Sequence, residues 1–293
     1  PIDQQPQSDG PLEKLNQQLH YSLDSGRQTA VNKRHAKGYR TARENLAQLC
    51  DTDSFVEYGQ LAVAAQRDRI SAEDLKVQTA ADGVITGLAT INSEQFGSAA
   101  TQVAVIVNDY TVLAGTQGYF HHRKSDRMLK QVQESFLPVV MYTEGGGGRP
   151  GDTDVKTQIA GLDVPTFASW AGLSGQVPMI AVNNGYCFAG NAALFGCAEI
   201  CIATKTSWIG MAGPAMIEGG GLGSFAPTDI GPIGVQAENG VVDLVADDEA
   251  HATLLTQQCL GYFQGTQDAW QCADQTELRD MMPADRRYVY EVR

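Results

Sequence analysis

The first part of the chain shows apolar residues at helical spacing. Leu12, Leu15 and Leu19 recur at intervals of three and four residues, as on one face of an α-helix. Ser25-Gly26 breaks this run, and the apolar pattern resumes over Ala42–Leu49. We therefore predict that the chain opens with a set of helices.

From Gly83 onward the pattern changes to short β-branched runs. The stretches "GVITGLATI" and "TQVAVIVND" flank a polar Asn-Ser-Glu turn, which predicts a hairpin or two adjacent strands. A helix is expected over Lys124–Phe136, where one face carries Met128, Leu129, Val132 and Phe136. Further strands are predicted at 139–143, 179–182, 199–203 and 240–245, and helices at 164–173, 185–196 and 249–263.

Repeated strand–loop–helix units are typical of proteins in which crossover helices pack on a sheet. The pattern therefore predicts an α/β fold, with a helical extension over residues 1–40 and one domain over residues 41–293. We expect "DTDSFVEYG", residues 51–59, to form a turn. The polar segment 66–82 is expected to cross the surface.

Charge and composition narrow the classes of function. The 293 residues carry a formal net charge of -13, which disfavours nucleic acid and anionic membranes as partners. No apolar run reaches the ~18 residues of a spanning helix, and the polar start does not resemble a signal peptide. The six cysteines are scattered without zinc-ligand spacing. We expect a cytoplasmic protein that binds no metal and keeps buried free thiols.

The stretch "MYTEGGGGRPGD" places four glycines directly after a predicted buried strand. Gly146-x-Gly148-x-x-Gly151 fits a dinucleotide fingerprint, but no clean βαβ unit with a ribose-binding acid follows. A P-loop would need Gly-Lys-Ser/Thr, and a tight turn needs fewer glycines. The interpretation that we favour is a carbonyl site, in which backbone N–H groups stabilise a developing oxyanion and a Cβ would block the acyl group.

A second small-residue stretch, "NNGYCFAGNAALFGCAEI", also runs from an apolar strand into a helix. Two such junctions on neighbouring strands can shape one pocket, although small residues also serve close helix–sheet packing, so this stretch alone leaves both interpretations open. A nucleophile elbow is absent, because "AGLSGQ" lacks the second glycine of G-x-S-x-G. His121-His122 adjoin Arg123-Lys124, which predicts a basic rim rather than a catalytic base.

Several motifs, in this order, resemble the carboxyltransferase (beta-type) family of biotin-dependent acyl-CoA carboxylases, a branch of the crotonase-like superfamily. "TARENLAQLCDTDSFVEYG" resembles the family's first helix and turn, and "ADGVITGLATI" its D-G-V-x-T-G hairpin. "NDYTVLAGTQGYFHHRK", "EGGGGRPGD", "GYCFAGNAAL" and "MAGPAMIEG" are similar to its D-[FY]-T, D-S-G-G-A-R, G-x-C-x-G-G-A and A-G-P motifs. The resemblance runs from about Ala42 to the end of the chain.

The resemblance implies a spiral of ββα units and carboxyl transfer from carboxybiotin to the α-carbon of an acyl-CoA. By position, the amides of Ala189 and Gly190 would hold the thioester oxygen. Ala189 stands where the family usually has glycine, and we expect it to donate its amide from a negative φ. The implied substrate-binding residues are Gly145, Gly146, Gly147, Gly148, Arg149, Lys124, Gly213 and Pro214. Lys124, Arg123 and Arg149 are candidates for CoA phosphates, with a structural ion pair as the alternative for Arg149.

The closing "DRRYVYEVR" resembles the family's junction between two homologous halves, and this resemblance implies that the chain corresponds to the N-terminal half. The implied cofactor is biotin on a separate carrier domain. The implied partners are acyl-CoA, a C-terminal half, biotin carboxylase and carrier components, and further copies of the chain. Residues 217–236 are expected to form a mobile lid or a long surface loop. A subunit of a biotin-dependent decarboxylase and a non-catalytic CoA-binding or assembly module are the alternatives.

Overall fold

The structure, a computed structural model, describes residues 10–155, 164–266, 271–285 and 287–289. These residues form a seven-stranded sheet and a two-stranded sheet. The strands are β1 (Val56–Tyr58), β2 (Val84–Thr90), β3 (Gln102–Asn108), β4 (Val139–Tyr142), β5 (Met179–Asn183), β6 (Tyr186–Phe188), β7 (Ile200–Thr204), β8 (Trp208–Gly210) and β9 (Leu244–Ala246).

Helices precede the sheet and connect its strands. They are α1 (Pro11–Tyr21), α2 (Gln28–His35), α3 (Ala42–Leu49), α4 (Ala72–Gln78), α5 (Ser93–Phe96), α6 (Tyr119–Ser135), α7 (Thr166–Ala171), α8 (Gly190–Gly196), α9 (Pro214–Gly219), α10 (Ile233–Glu238), α11 (Glu249–Gln264) and α12 (Leu278–Met281). The predicted opening helices, hairpin and alternating strands and helices are confirmed. Helix α3 begins with a complete capping box of Thr41 and Glu44.

The large sheet has the order β1-β2-β3-β4-β5-β7-β9. Strands β1 to β3 pair antiparallel, and the pairs from β3 to β9 are parallel. Tyr142 of β4 is the register partner of Val182 of β5. Because parallel strands end at the same edge, the glycine loop after β4 and the small-residue stretch after β5 leave the sheet side by side.

Helices cover both faces of the sheet, so its central strands are buried on both sides. One apolar cluster joins Leu46 and Leu49 of α3 and Leu260 of α11 to the sheet. The other places Met128 of α6 and Trp170 of α7 against the opposite face. This explains why these strands are continuous apolar runs rather than alternating ones.

Three predictions made from local pattern need correction, and one pair of strands was missed. Segment 66–82 is exposed over most of residues 67–78, as predicted, but it also contains α4 and ends in buried residues up to Asp82, which is 0% exposed. Residues 51–59 include strand β1 as well as a turn. Phe136 does not join the buried face of α6: it ends the helix at φ 52° and is exposed. The strands β6 and β8 were not predicted; they pair in parallel, with Tyr186 beside Trp208.

The boundary at residue 40 stays a prediction. Helix α2 and the turn before it contact the main sheet region through buried ion pairs, Arg27 with Asp109 at 2.6 Å and Arg34 with Glu144 at 2.5 Å. Of the predicted half–half junction at 285–293, residues 286 and 290–293 lie outside the described residues. Three cysteines are buried, whereas Cys197 and Cys272 are exposed, so the prediction of buried thiols holds only in part.

None of the described helices has both the length and the apolar composition that a membrane span requires. The cellular location stays a prediction.

Candidate active site at two glycine junctions

The two glycine junctions predicted from the sequence meet in the structure. Gly147 has a φ of +89°, and a Cβ built on it would lie 2.7 Å from the Cβ of Ala189 and 3.2 Å from the carbonyl oxygen of Phe188. The amide nitrogen of Gly190 is 3.6 Å from the same point. A side chain at position 147 would be strained and would clash, so glycine is required for this approach.

The side chain of Asn191 holds the two glycine junctions together. Its side-chain Oδ1 accepts a hydrogen bond from the Gly147 N–H at 3.0 Å, and its Nδ2 donates to the carbonyl oxygen of Thr143 at 3.0 Å. The side chain is completely buried. Asn191, a residue of α8, therefore holds the loop after β4 against the start of α8.

The glycine loop uses most of its amides for structure. The N–H of Gly145 donates to the carbonyl of Tyr186 at 2.7 Å, and that of Gly146 to the carbonyl of Ala114 at 3.1 Å. A Cβ on Gly145 would lie 2.2 Å from the carbonyl oxygen of Gly115. These glycines allow close backbone packing, and the outer edge of the loop at Gly146 and Gly148 is exposed.

The expectation for Ala189 is wrong in two respects. Its φ is +51° rather than negative, and its N–H donates to the carbonyl of Gly210 at 3.0 Å. This amide is therefore not free for a substrate oxygen. Gly190 differs, because as the first residue of α8 it has no carbonyl within its helix to which its N–H can donate.

Gly213 and Pro214 lie beside the second junction, at the start of α9. A Cβ built on Gly213 would be in ordinary contact, at 3.5 Å, with the ring of Phe188. Phe188 is the residue before Ala189 and is buried. The A-G-P stretch thus borders the same site as the two glycine junctions.

Two of the three cations predicted to bind CoA phosphates, Lys124 and Arg149, are already engaged inside the protein, whereas Arg123 is exposed. Lys124 donates from Nζ to the carbonyls of Ala81, at 2.8 Å, and Val84, and burial lowers its pKa to about 8. Arg149 contacts Asp82 at 2.5 Å and is buried. Lys124 and Arg149 therefore have structural roles, and Arg149 forms the ion pair that was its alternative. The prediction for Arg123 stays a prediction.

His121 and His122 do not form a basic rim, because both are buried. His121 Nε2 contacts Asn108 Oδ1 at 2.9 Å, and His122 Nδ1 contacts Thr166 Oγ1 at 2.9 Å. Burial, with nearby Arg149 as a smaller cause, lowers the pKa of His122 to about 4. Both histidines thus belong to the polar interior that supports the glycine loop.

A pocket of about 410 Å³ adjoins the first glycine loop, and sequence reasoning missed it. Tyr186, whose carbonyl binds the Gly145 N–H, lies in its wall, as does Glu144, the residue before Gly145. It is lined by Thr29, Ala30, Lys33, Arg34, Lys37, Tyr39, Tyr110, Thr111, Glu144 and Tyr186.

The cationic side chains that line this pocket differ in whether they are free to bind a ligand. Arg34 pairs with Glu144 and stacks over Tyr39, with its Cζ 4.6 Å from the ring centroid. Lys33 and Lys37 are exposed, and within the described parts of the chain neither has an ion-pair partner. Two exposed ammonium groups can bind an anionic group of a ligand, and the aromatic rings beside them can stack on a planar group of the same ligand. The signal in the sequence was "KRHAK", with lysines four residues apart.

Comparisons with known proteins agree with this geometry. A profile of the carboxyl transferase domain matches residues 33–293. The methylmalonyl-CoA carboxyltransferase 12S subunit of Propionibacterium freudenreichii subsp. shermanii is 29% identical over 296 residues, 97% of this chain and 54% of that protein. The methylmalonyl-CoA decarboxylase subunit alpha of Veillonella parvula is 28% identical over 255 residues, 86% of this chain and 47% of that protein.

A solved structure of a single-chain, multi-domain long-chain acyl-CoA carboxylase is 54% identical, with a TM-score of 0.86 over 97% of this chain and 28% of that chain. The chain spans about half the length of the curated relatives that it matches. The predicted crotonase-like α/β fold is confirmed by these structural similarities. With the profile match over residues 33–293 and the two glycine junctions that meet at Gly147 and Gly190, the chain belongs to the carboxyl transferase domain family.

Proposed function

We propose that this chain is the acyl-CoA-binding half of a biotin-dependent carboxyltransferase. The observation that carries the proposal is the contact of Gly147 with Ala189 and Gly190. It places the helix-starting amide of Gly190 beside the bare backbone of Gly147, where a thioester carbonyl can approach without meeting a Cβ on either residue.

The nucleotide end of CoA is assigned to the pocket beside α2. Lys33 and Lys37 would contact its phosphates, and the tyrosine rings would face its adenine. This assignment replaces Lys124 and Arg149, whose charges are satisfied internally. Because the chain carries a net charge of -13, a polyanionic ligand depends on such a local basic site.

The chemistry proposed for the site needs no side-chain base in this chain. Carboxybiotin, on a separate carrier, would supply the carboxyl group: its N–C bond breaks, a C–C bond forms at the α-carbon, and the α-proton passes to the biotin nitrogen. The part of this chain is to orient the acyl-CoA and to stabilise the enolate oxygen at Gly190. The buried side chains of His121 and His122 contact Asn108 and Thr166, and we assign them no part in the transfer.

The chain's share of its relatives' length and its exposed apolar surface support the partners that we propose. A homologous C-terminal half, biotin carboxylase and carrier components would complete the reaction. Residues 217–236 are largely exposed and present Leu222 (74% exposed) and Phe225 (47% exposed) together with Met216 from α9. Such an apolar surface supports association, either with the second half or with further copies of the chain.

Calorimetric titration with acetyl-, propionyl- and octanoyl-CoA tests the proposal, with NAD as the control ligand. We expect saturable binding of at least one acyl-CoA and none of NAD, and the order of affinities reports the preferred chain length. Binding of NAD, or of no acyl-CoA, would contradict the proposal.

A decarboxylase subunit is the second candidate, supported by the similarity to the methylmalonyl-CoA decarboxylase subunit alpha. Both candidates bind acyl-CoA in the same way, so they differ in the direction of transfer. With partner components added, net formation of carboxybiotin from a carboxylated acyl-CoA would favour the decarboxylase, and net carboxylation of the acyl-CoA would favour the carboxylase.

A further inference from the structure

The side chain of Gln117 lies directly over the start of α8. A Cβ built on Gly190 would lie 2.5 Å from Gln117 Oε1 and 3.3 Å from its Cδ. Gln117 is only 2% exposed, and its Nε2 has no hydrogen-bond partner among the described residues. The carboxamide therefore has an unused donor, and its oxygen lies against Gly190 at the start of α8.

The position of Gln117 is fixed by its backbone. Its N–H donates to the carbonyl of Gly147 at 2.8 Å, and its carbonyl accepts from the N–H of Arg149 at 2.9 Å. The backbone that carries this side chain is therefore held to the glycine loop that packs on α8. Rotation of the terminal amide exchanges its oxygen and nitrogen, so Nε2 can also reach the point beside Gly190 where Oε1 stands.

Buried donors without a partner are uncommon in native proteins and often mark a place where a ligand supplies the acceptor. Here the N–H of Ala189, the second donor expected at this site, is bound to Gly210. A side-chain amide can take the place of a backbone amide in stabilising an oxyanion. Gln117 is the donor that the structure offers in its place.

We propose that Gln117 is a catalytic residue whose side-chain amide, together with the backbone N–H of Gly190, hydrogen-bonds the thioester oxygen of the acyl-CoA and the enolate formed from it. This inference rests on the proposed function, because it assumes an acyl-CoA at the site.

The test compares each thioester with the matching thioether, which lacks the carbonyl oxygen. The probes are propionyl-CoA with S-propyl-CoA and octanoyl-CoA with S-octyl-CoA, titrated into the full 293-residue chain. In the Gln117→Met variant, which keeps the side-chain length but has no donor, thioester affinity should fall about five- to tenfold. Thioether affinity should stay within about twofold, because that ligand offers no oxygen to the amide.

Gln131→Met makes the same chemical change on α6, at a residue that lines a separate pocket, and should leave all four affinities unchanged. Gln117→Leu is the second variant, and the melting temperature of each variant reports its folding. Removal of an unsatisfied buried donor should leave that temperature unchanged or raise it.

Three results would overturn the inference. Equal weakening of thioester and thioether would make Gln117 a packing residue, and unchanged thioester affinity would remove it from the site. If the unsubstituted chain binds none of the acyl-CoAs, the proposed function fails first and the inference fails with it.

Discussion

Two pairs of cations near the site have opposite environments. Lys124 and Arg149 are 8% and 7% exposed and are held by backbone carbonyls and by carboxylates. Lys33 and Lys37 are exposed at the rim of a pocket. The first pair stabilises the folded protein, and the second pair is available to a ligand. The sequence composition does not distinguish the two pairs.

The difference teaches how a charged residue should be judged from its position on an element. Lys124 precedes Met128 and Val132 by four and eight residues, so it lies on the buried face of α6. Lys33 and Lys37 flank the end of α2, where the following residues return to the surface. Helical spacing alone is therefore enough to assign Lys124 to the interior.

Replacement of the interior cation should produce the largest effect. Arg149→Met leaves the carboxylate of Asp82 buried without its partner, and we expect a loss of about 3–5 kcal/mol in the free energy of unfolding. Urea denaturation followed by circular dichroism measures this loss. The double variant Asp82→Asn/Arg149→Met, which removes both charges, should recover part of it.

Lys130→Met is the matched change at an exposed cation, which forms a 3.7 Å ion pair with Glu134. We expect it to alter stability by less than about 0.5 kcal/mol. If Arg149→Met and Lys130→Met lowered the free energy of unfolding equally, the distinction between interior and surface cations would be wrong.

The buried His122 should make the protein less stable at acidic pH. Its pKa is lowered from the ordinary histidine value of 6.5 to about 4, so between these values the unfolded chain binds a proton that the folded chain excludes. Stability should therefore fall as the pH drops from 6.5 to 4. At about 1.36 kcal/mol per pH unit, this group contributes about 3 kcal/mol to the loss.

Urea denaturation at about pH 7 and about pH 4.5 measures this dependence for the unsubstituted chain and for His122→Asn. The variant should lose less stability between the two pH values, because it lacks the titrating ring. His20→Asn, at an exposed histidine, should behave like the unsubstituted chain. A variant at position 122 with the full pH dependence would assign the acid sensitivity to other groups.

The fold was largely predictable because its signals are local. The strands β3, β4 and β5 appear in the sequence as continuous apolar runs, and helix α6 as an apolar face at helical spacing. Strands β6 and β8, with three residues each, are too short to show a period, and they form because they pair with each other. The burial of Asp82 also depends on a distant partner, Arg149, which is 67 residues away in the chain.

The meeting of the two glycine junctions was predictable from the sequence, but the hydrogen bonds of their amides were not. Glycine composition and family resemblance identified both junctions, because small residues are needed wherever backbones approach. The assignment of Ala189 failed because its hydrogen bond to Gly210 depends on where β8 lies. Gln117 gave no signal, since a single glutamine in a loop has no pattern until tertiary structure places it over Gly190.

The surface pair should give the smallest effect on stability and a selective effect on binding. In the double variant Lys33→Ala/Lys37→Ala, we expect affinity for acyl-CoA to fall about tenfold at low ionic strength, which corresponds to ~1.4 kcal/mol. The free energy of unfolding should change by less than about 0.5 kcal/mol, because neither ammonium has a partner to lose among the described residues. Calorimetry and urea denaturation on the same samples measure both quantities.

Salt and ligand charge separate a phosphate contact from a packing effect. Exposed charges are screened over about 3 Å at 1 M salt, so the difference between the double variant and the unsubstituted chain should shrink there. It should also shrink with an acyl-CoA that lacks the 3′-phosphate, if the lysines contact that group. Lys130→Ala, at a lysine on α6 that does not line the pocket, controls for the loss of one surface charge. Unchanged affinity in the double variant would place the nucleotide elsewhere, and the pocket beside α2 would then be no part of the acyl-CoA site.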